Sequence, residues 1–250
     1  MRRLEAEARA AAEVQQQQRA DEEAERQRTG KKRRGREPGP IVETPAEKAQ
    51  TNFTDPELHI MQTNNKGWEY CGNAQVSVDG ACQIILACDV TDAANDKQQA
   101  ESVAQATLTT LAQAGIALPQ DEMGKAHAIP ATLDNGYYSE AAAQALEDLG
   151  FDPYMATGRQ KHHAPEAEAS DAPATAKERM AAKVRTPDGK AFYARRKVIV
   201  EPVFGQIKEA RGFRRFLLRG LQKIRGEWRL VCLGHNLLKL WRYGCAQSTA

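Results

Sequence analysis

Aromatic residues are scarce, 6% of 250 residues, and the five cysteines (Cys71, Cys82, Cys88, Cys232, Cys245) form no Cys-x-x-Cys pair. That leaves no zinc spacing, and an odd, scattered set inside apolar runs reads as small buried hydrophobes in a reducing compartment. No apolar run reaches the roughly 18 residues of a membrane span. The start, Met1-Arg2-Arg3-Leu4-Glu5, carries charge where a secretory signal needs its apolar segment. His162-His163 and His235 lack a third donor at metal-ligand spacing, so the histidines read as structural. Together these absences give the expectation of a soluble, cytoplasmic protein.

The net charge of +2 conceals a segregation. Residues 1–36 hold 11 Lys/Arg against 7 Asp/Glu (+4), residues 37–194 hold 11 against 23 (−12), and residues 195–250 hold 13 against 3 (+10). A C-terminal part this basic points to a polyanionic partner, with a solvated helix face as the plainer reading.

Residues 1–29 are rich in the helix formers Ala, Glu, Gln and Arg. Their apolar row (Leu4, Ala8, Ala11, Val14) is too thin for a strong coiled-coil seam. Lys31 to Arg36 form a basic cluster before Pro38-Gly39-Pro40, read as a solvated linker. The expected organisation is a polar helical segment and basic linker over 1–50 and a globular part over 51–243. Within the latter, 158–176 reads as a flexible insertion, and 244–250 is a tail.

In the globular part, Ala74, Val76 and Val78 alternate with polar neighbours, predicting a strand over 73–79. Asp79-Gly80 predicts a tight turn, and Cys82 to Val90 the returning strand. Ala100, Val103, Ala104, Thr107, Leu108 and Leu111 predict a helix over 97–114, closed by Gly115. A strand over 126–133 delivers Asp134 at its carboxyl end, against the objection of Pro130. Ser139 caps a helix through Leu149, and 151–156 forms another strand. Helix resumes after Glu201, with Pro202 in its first turn, and breaks at Gly212. A long amphipathic segment follows, marked by Leu221, Ile224, Trp228, Val231, Leu237 and Trp241. Phe204, Phe213, Phe216, Trp228 and Trp241 read as core. This order of elements is an α/β pattern.

In such sheets ligand sites gather at the carboxyl ends of strands, where Asp134 falls. Glu201 at a helix start supplies a second carboxylate. Two converging carboxylates can hold one or two Mg²⁺ ions, and paired metals about 3.5–4 Å apart assist phosphodiester displacement. The ordinary readings are an Asx-type turn for Asp134 and a helix-capping acid for Glu201.

The motifs Leu133-Asp-Asn-Gly-Tyr-Tyr-Ser139 and Val200-Glu-Pro-Val-Phe-Gly-Gln-Ile-Lys208 resemble the second and third acidic motifs of DDE transposases of bacterial insertion sequences. So do Thr51 to Glu57, Tyr70 to Asp79 and the basic run from Gly212 to Trp241, in family order. The resemblance implies a ribonuclease-H-like mixed sheet flanked by helices. It implies cleavage and joining of double-stranded DNA at element ends and target, dependent on Mg²⁺ (or Mn²⁺) at a two-metal site. Asp134 then corresponds to the second catalytic and metal-binding acid, and Glu201 to the third. Lys208 stands where relatives place a phosphate-contacting lysine. Lys197 falls where an arginine is common; Ala194 falls where a tyrosine is common, with Tyr193 adjacent. Lys197, Lys208, Arg211, Arg214, Arg215, Arg219 and Lys223 are the expected DNA contacts, positioning DNA without reading its sequence.

The family's Asp-Gly-Thr strand does not occur. Asp79-Gly80 sits at a hairpin tip, and Asp89 and Asp96 read as structural acids. The expectation is a domain lacking its first strand, with impaired activity and DNA, a second copy or a full-length transposase as partners. The alternative is a non-catalytic DNA-binding remnant or inhibitor.

Overall fold

The computed structural model describes residues 2–30, 38–47, 51–63, 66–118, 120, 127–158 and 175–248. The cluster 31–36, His162-His163, nearly all of the expected insertion and the side chain of Cys245 lie outside the described residues. The chain divides into two compact units, Met1–Phe53 and Thr54–Ala250. The first holds α1 (Arg2–Thr29), a polar, mostly exposed helix. Gln17 Nε2 donates to Asp21 (3.0 Å) and Arg26 pairs with Glu22 (2.9 Å), both four residues apart, as a solvated helix face requires.

Among its described residues the second unit is a mixed α/β body with three two-stranded sheets. β1 (His59–Gln62) and β2 (Trp68–Cys71) form a small antiparallel hairpin. β3 (Asn73–Val78) and β4 (Ile85–Thr91) pair antiparallel, and β5 (Ile129–Leu133) and β6 (Phe151–Met155) pair parallel. α2 (Ala100–Gln113) links β4 to β5, and α3 (Glu140–Asp148) links β5 to β6, capped by Ser139, which accepts from Ala142 N–H. α4 (Ala176–Arg185), α5 (Pro187–Ala194), α6 (Arg196–Gly205), a π-helical turn (Gln206–Ala210) and α7 (Leu221–Ser248) complete it. Among the described residues no helix is long and apolar enough to cross a membrane.

Both strand prolines sit where they break nothing. Ile129 N–H is donated to the Gly150 carbonyl, toward β6. Bonding alternates along a strand, so Ala131 and Leu133 also face β6 while Pro130 faces the other edge. By the same alternation Pro153 faces the outer edge of β6. Pro130 is therefore compatible with the strand it interrupts in sequence.

Three expectations are corrected. Asp79-Gly80 is not a two-residue turn. The Asp79 carboxylate accepts from the N–H groups of Ala81, Cys82 and Ile84, wrapping residues 79–84 into a longer loop in which Gln83 takes φ 60°. Helix does not begin after Glu201 either: Glu201 and Pro202 lie inside α6, and the proline at a helix start is Pro187 in α5. Pro202 cannot donate to Val198, four residues back. That carbonyl accepts instead from Gln83 Nε2 at 2.8 Å, which is how a proline is tolerated there. Finally, Leu237 (57% exposed) and Trp241 (66%) are not core. The buried stripe of α7 runs Ile224, Trp228, Cys232, His235, steps of four, four and three. Leu237 lies two residues past that stripe, about 200° around the helix.

The core has two parts. Ala100, Ala104, Ala142, Ala143, Leu146, Phe151 and Met155 pack α2 and α3 onto β5–β6, joined by Met180 and Val184 of α4. Val90, Val203, Ile207, Ile224 and Trp228 pack α6 and α7 onto β3–β4, with Phe204, Phe213 and Phe216 stacked or edge-on around Trp228. The motif at 51–57 has a clear task here. Asp55 accepts from Gly220 N–H (2.9 Å) and Glu57 from Leu221 N–H (2.6 Å). The two acids satisfy orphan donors at the start of α7 and meet its positive end.

Candidate functional site

One cavity of about 870 Å³ is lined by β3, β5, α2 and α6. Asp134, Glu201 and Lys208 all border it. Asp134 ends β5, and its Oδ1 accepts from Asn135 N–H at 2.8 Å, so it caps the short 3-10 turn that follows. The turn reading and the site reading thus fall on the same side chain. Glu201 stands on α6 and faces the same opening.

Arg196 ties the two acids together. Its Nη1 lies 3.6 Å from Asp134 Oδ1 and its Nη2 3.7 Å from Glu201 Oε1, so one guanidinium stands between them. Both carboxylates are more than half exposed, and pairs of that kind contribute about 0–1 kcal/mol to stability. Their importance is positional. Tyr193 lies beside Arg196, ring centroid 5.8 Å from the guanidinium carbon. Burial raises the Tyr193 phenol above its ordinary range, an effect opposed by Arg196.

Sequence reasoning missed Arg196, because the arginine position was matched to Lys197, which is exposed and borders no part of the cavity. The signal was available: Tyr193 and Arg196 keep the separation of three residues that the resemblance assigns to its tyrosine and arginine, displaced together by one position from Glu201. A helical break at Arg195 separates α5 from α6.

Asp96 also borders the cavity, but its Oδ1 accepts from Asn73 Nδ2 (2.6 Å) and Gln75 Nε2 (2.8 Å). Its Oδ2 lies so near Gly136 that a Cβ there would stand 3.0 Å away. Tyr137 donates its hydroxyl to Gln75 Oε1 across the opening. Burial, then the charges of Asp96 and Asp134, raise its phenol well above the ordinary value. Asp89 pairs instead with Arg225 Nε at 3.0 Å, on the α7 side of β4. Both acids therefore carry structural contacts.

Among the described residues no three His, Cys, Asp or Glu side chains group as a metal site. Carboxylate oxygens suit Mg²⁺, yet of the acids that border the cavity Asp79 and Asp96 are engaged by N–H groups and side-chain amides, and a guanidinium stands between Asp134 and Glu201. The residues present do not fit a two-metal centre.

Lys208 Nζ lies 5.5 Å over the Phe204 ring. Arg214 pairs with Glu209. Arg211 is half-buried: its Nη2 lies 3.5 Å from His235 Nδ1, its Nη1 has no partner among the described residues, and burial, then Arg242, lower its pKa. Arg215, Arg219 and Lys223 are exposed and make no ion pair among the described residues. His235 is fully buried, between Arg211 and the Gln83 carbonyl (2.9 Å), the structural role expected of it.

The family model of the transposase DDE domain matches residues 143–241. The matched span contains Glu201, Lys208 and the basic run, and stops short of Asp134. No curated protein and no solved structure matches the chain.

Proposed function

We propose that residues 51–243 are a ribonuclease-H-like DDE transposase catalytic-domain portion, whose ligand is double-stranded DNA at insertion-element ends. The observation that carries this reading is the meeting of Asp134 and Glu201, 67 residues apart in sequence, on one cavity through Arg196. The order β3–β4, α2, β5, α3, β6, then the helix bearing Glu201, supports it. The reaction of this class breaks a DNA phosphodiester and joins the freed 3′ end to another strand. With two acids and a guanidinium between them, the chain by itself supports little of it. The test is a Mg²⁺- or Mn²⁺-dependent cleavage and strand-transfer assay on element-end DNA, with Asp134→Ala and Glu201→Ala beside the parent chain. Product near background is expected; robust activity abolished by both substitutions would show that another acid completes the site.

Arg196 between the carboxylates favours a second reading, in which the chain binds DNA, or a full-length transposase, without cutting. Arg215, Arg219 and Lys223, with Lys197 and Lys208, are then the phosphate contacts. Affinity for duplex DNA should fall steeply with salt through counterion release. A flat salt dependence removes the basis for this reading.

A further inference from the structure

α7 lies against β4 in a fixed register. Near its start, Arg225 Nε stands 3.0 Å from Asp89 Oδ1 and donates to the Val90 carbonyl at 2.9 Å. Near its end, Asn236 pairs with both main-chain groups of Ile85 (2.8 Å each). The helix therefore runs opposite to the strand. From Arg225 to Asn236 it rises about 16 Å, and from Asp89 to Ile85 the strand covers about 14 Å. Cys232 falls between these two anchors, level with the middle of β4, where Cys88 stands. The two cysteines are 144 residues apart in sequence and share one core cluster with Val90, Ile224 and Trp228. Their surroundings differ. Cys232 is buried and Cys88 half-buried, and both are free thiols. The Cys232 thiol lowers the Cys88 pKa most; burial opposes that effect, the Arg229 guanidinium adds to it and Asp89 opposes it. Cys232 moves the other way, raised by Cys88 and then by burial. Cys71 is also raised, by burial and then Glu69.

We propose that Cys88 and Cys232 are a hydroperoxide-reactive pair, in which Cys88 is oxidised first and Cys232 then closes a disulfide between β4 and α7. A reactive thiol is one that ionises readily and can be reached, beside a cation; Cys88 meets each condition. A resolving thiol stands next to it and is itself protected, as Cys232 is by burial. In the first step the Cys88 thiolate attacks the O–O bond of the hydroperoxide. An S–O bond forms, the O–O bond breaks, and the leaving oxygen takes a proton to become an alcohol or water. In the second step the Cys232 sulfur attacks the Cys88 sulfenic acid. The S–S bond forms, the S–O bond breaks, and the Cys232 proton leaves with the hydroxyl as water. Two thiols lose two electrons in all, and the hydroperoxide accepts them. The product ties the helix that ends the basic run to β4 and closes residues 88–232, with Asp134 and Glu201 among them, into one covalent loop. Bonds of this kind in reducing surroundings are transient and sense oxidants. The inference holds whether or not the chain binds or cleaves DNA.

The full chain, reduced and freed of reductant, is tested with a small excess of hydrogen peroxide and peptide mapping by mass spectrometry without reduction. The expected product is a single intramolecular Cys88–Cys232 crosslink, with the intact chain lighter by two hydrogens and restored by dithiothreitol. Cys71, Cys82 and Cys245 should remain thiols. The crosslink should form about tenfold or more slowly in urea, where the fold no longer brings the sulfurs together. Cys232→Ala should leave a sulfenic acid on Cys88 that a cyclic diketone captures, and Cys88→Ala should leave Cys232 unreacted. Arg229→Gln, an exposed change, should slow the oxidation about threefold or more. The mapping on the parent chain decides the proposal even where a substitution at the buried Cys232 costs stability. Absence of the crosslink at exhaustive peroxide, earlier reaction at Cys71, Cys82 or Cys245, a crosslink between two chains, or an equal rate in urea would each overturn it.

Discussion

The outer edge of β4 and the facing edges of β3 and β5 present the same chemistry, a row of main-chain donors and acceptors. They are treated in opposite ways. Along β4 the edge is closed by side chains of α7: Asn236 takes both groups of Ile85, and Arg225 takes the Val90 carbonyl. Across the cavity no side chain among the described residues does this for Ala74, Val76 or Thr132. The outer edge of β4 is thus capped against further pairing, while the edges of β3 and β5 that border the cavity are not. The difference teaches that α7 seals the sheet edge it packs on, and that the described residues provide no such seal at the cavity.

The comparison can be broken from its closed side first. Trp228 fills the centre of the α7 face and donates Nε1 to the Gln75 carbonyl at 3.2 Å. Trp228→Ala should cost about 3–5 kcal/mol in urea unfolding followed by circular dichroism, and a loss below about 1 kcal/mol would mean that α7 is not what holds β3–β4. Asn236→Ala leaves Ile85 N–H and C=O without their partner and should cost about 1–3 kcal/mol; an unchanged midpoint would show that water caps that edge equally well.

The next effect depends on pH. Burial holds the His235 pKa below its ordinary 6.5, so the unfolded chain takes up the proton first. The stabilisation is complete above about 6.5 and declines as pH falls below that value, toward the lower folded-state pKa. Arg211 and Lys239 both face the ring with positive charge and oppose its protonation, while the Gln83 carbonyl favours it. His235→Gln should flatten this part of the stability profile between pH 7 and 5; an identical slope in the variant would assign the effect to the other histidines. The smallest effect belongs to the open side. Thr132→Pro removes an N–H that bonds nothing among the described residues and should cost less than about 1 kcal/mol, whereas Ala131→Pro, one residue away, breaks the β5–β6 ladder and should cost more. Equal losses for the two would erase the distinction between closed and open edges.

Much of the fold was legible because its signals are local. The alternation of Ala74, Val76 and Val78, the helical spacing from Ala100 to Leu111, the Ser139 cap and the turn at Gly150 (φ 86°) each act within a few residues. Asp134 was legible because a strand end followed by Asn-Gly can be read from the same few positions. What escaped was decided by partners far along the chain. Pro202 inside α6 depends on Gln83, Arg196 is singled out only when β5 and α6 come together, and Asp55 and Glu57 acquire meaning when α7 begins beside them. The facing of α7 was misread because apolar residues stand on more than one side of it, and Leu230, Leu233, Leu240 and Trp241 are exposed. Periodicity alone could not choose among those stripes.

Gln83 has a consequence that reaches the acid on α6. Its side chain holds Val198 and receives Lys239 Nζ (2.6 Å), and its carbonyl faces His235. Pro202 prevents α6 from closing its own ladder at Val198, so the seating of that helix is referred to a loop 115 residues earlier. Glu201 sits between the two. Lengthening or shortening the hairpin tip would thus re-aim Glu201 without touching the helix that carries it, and the loop acts as a remote adjustment for the acid.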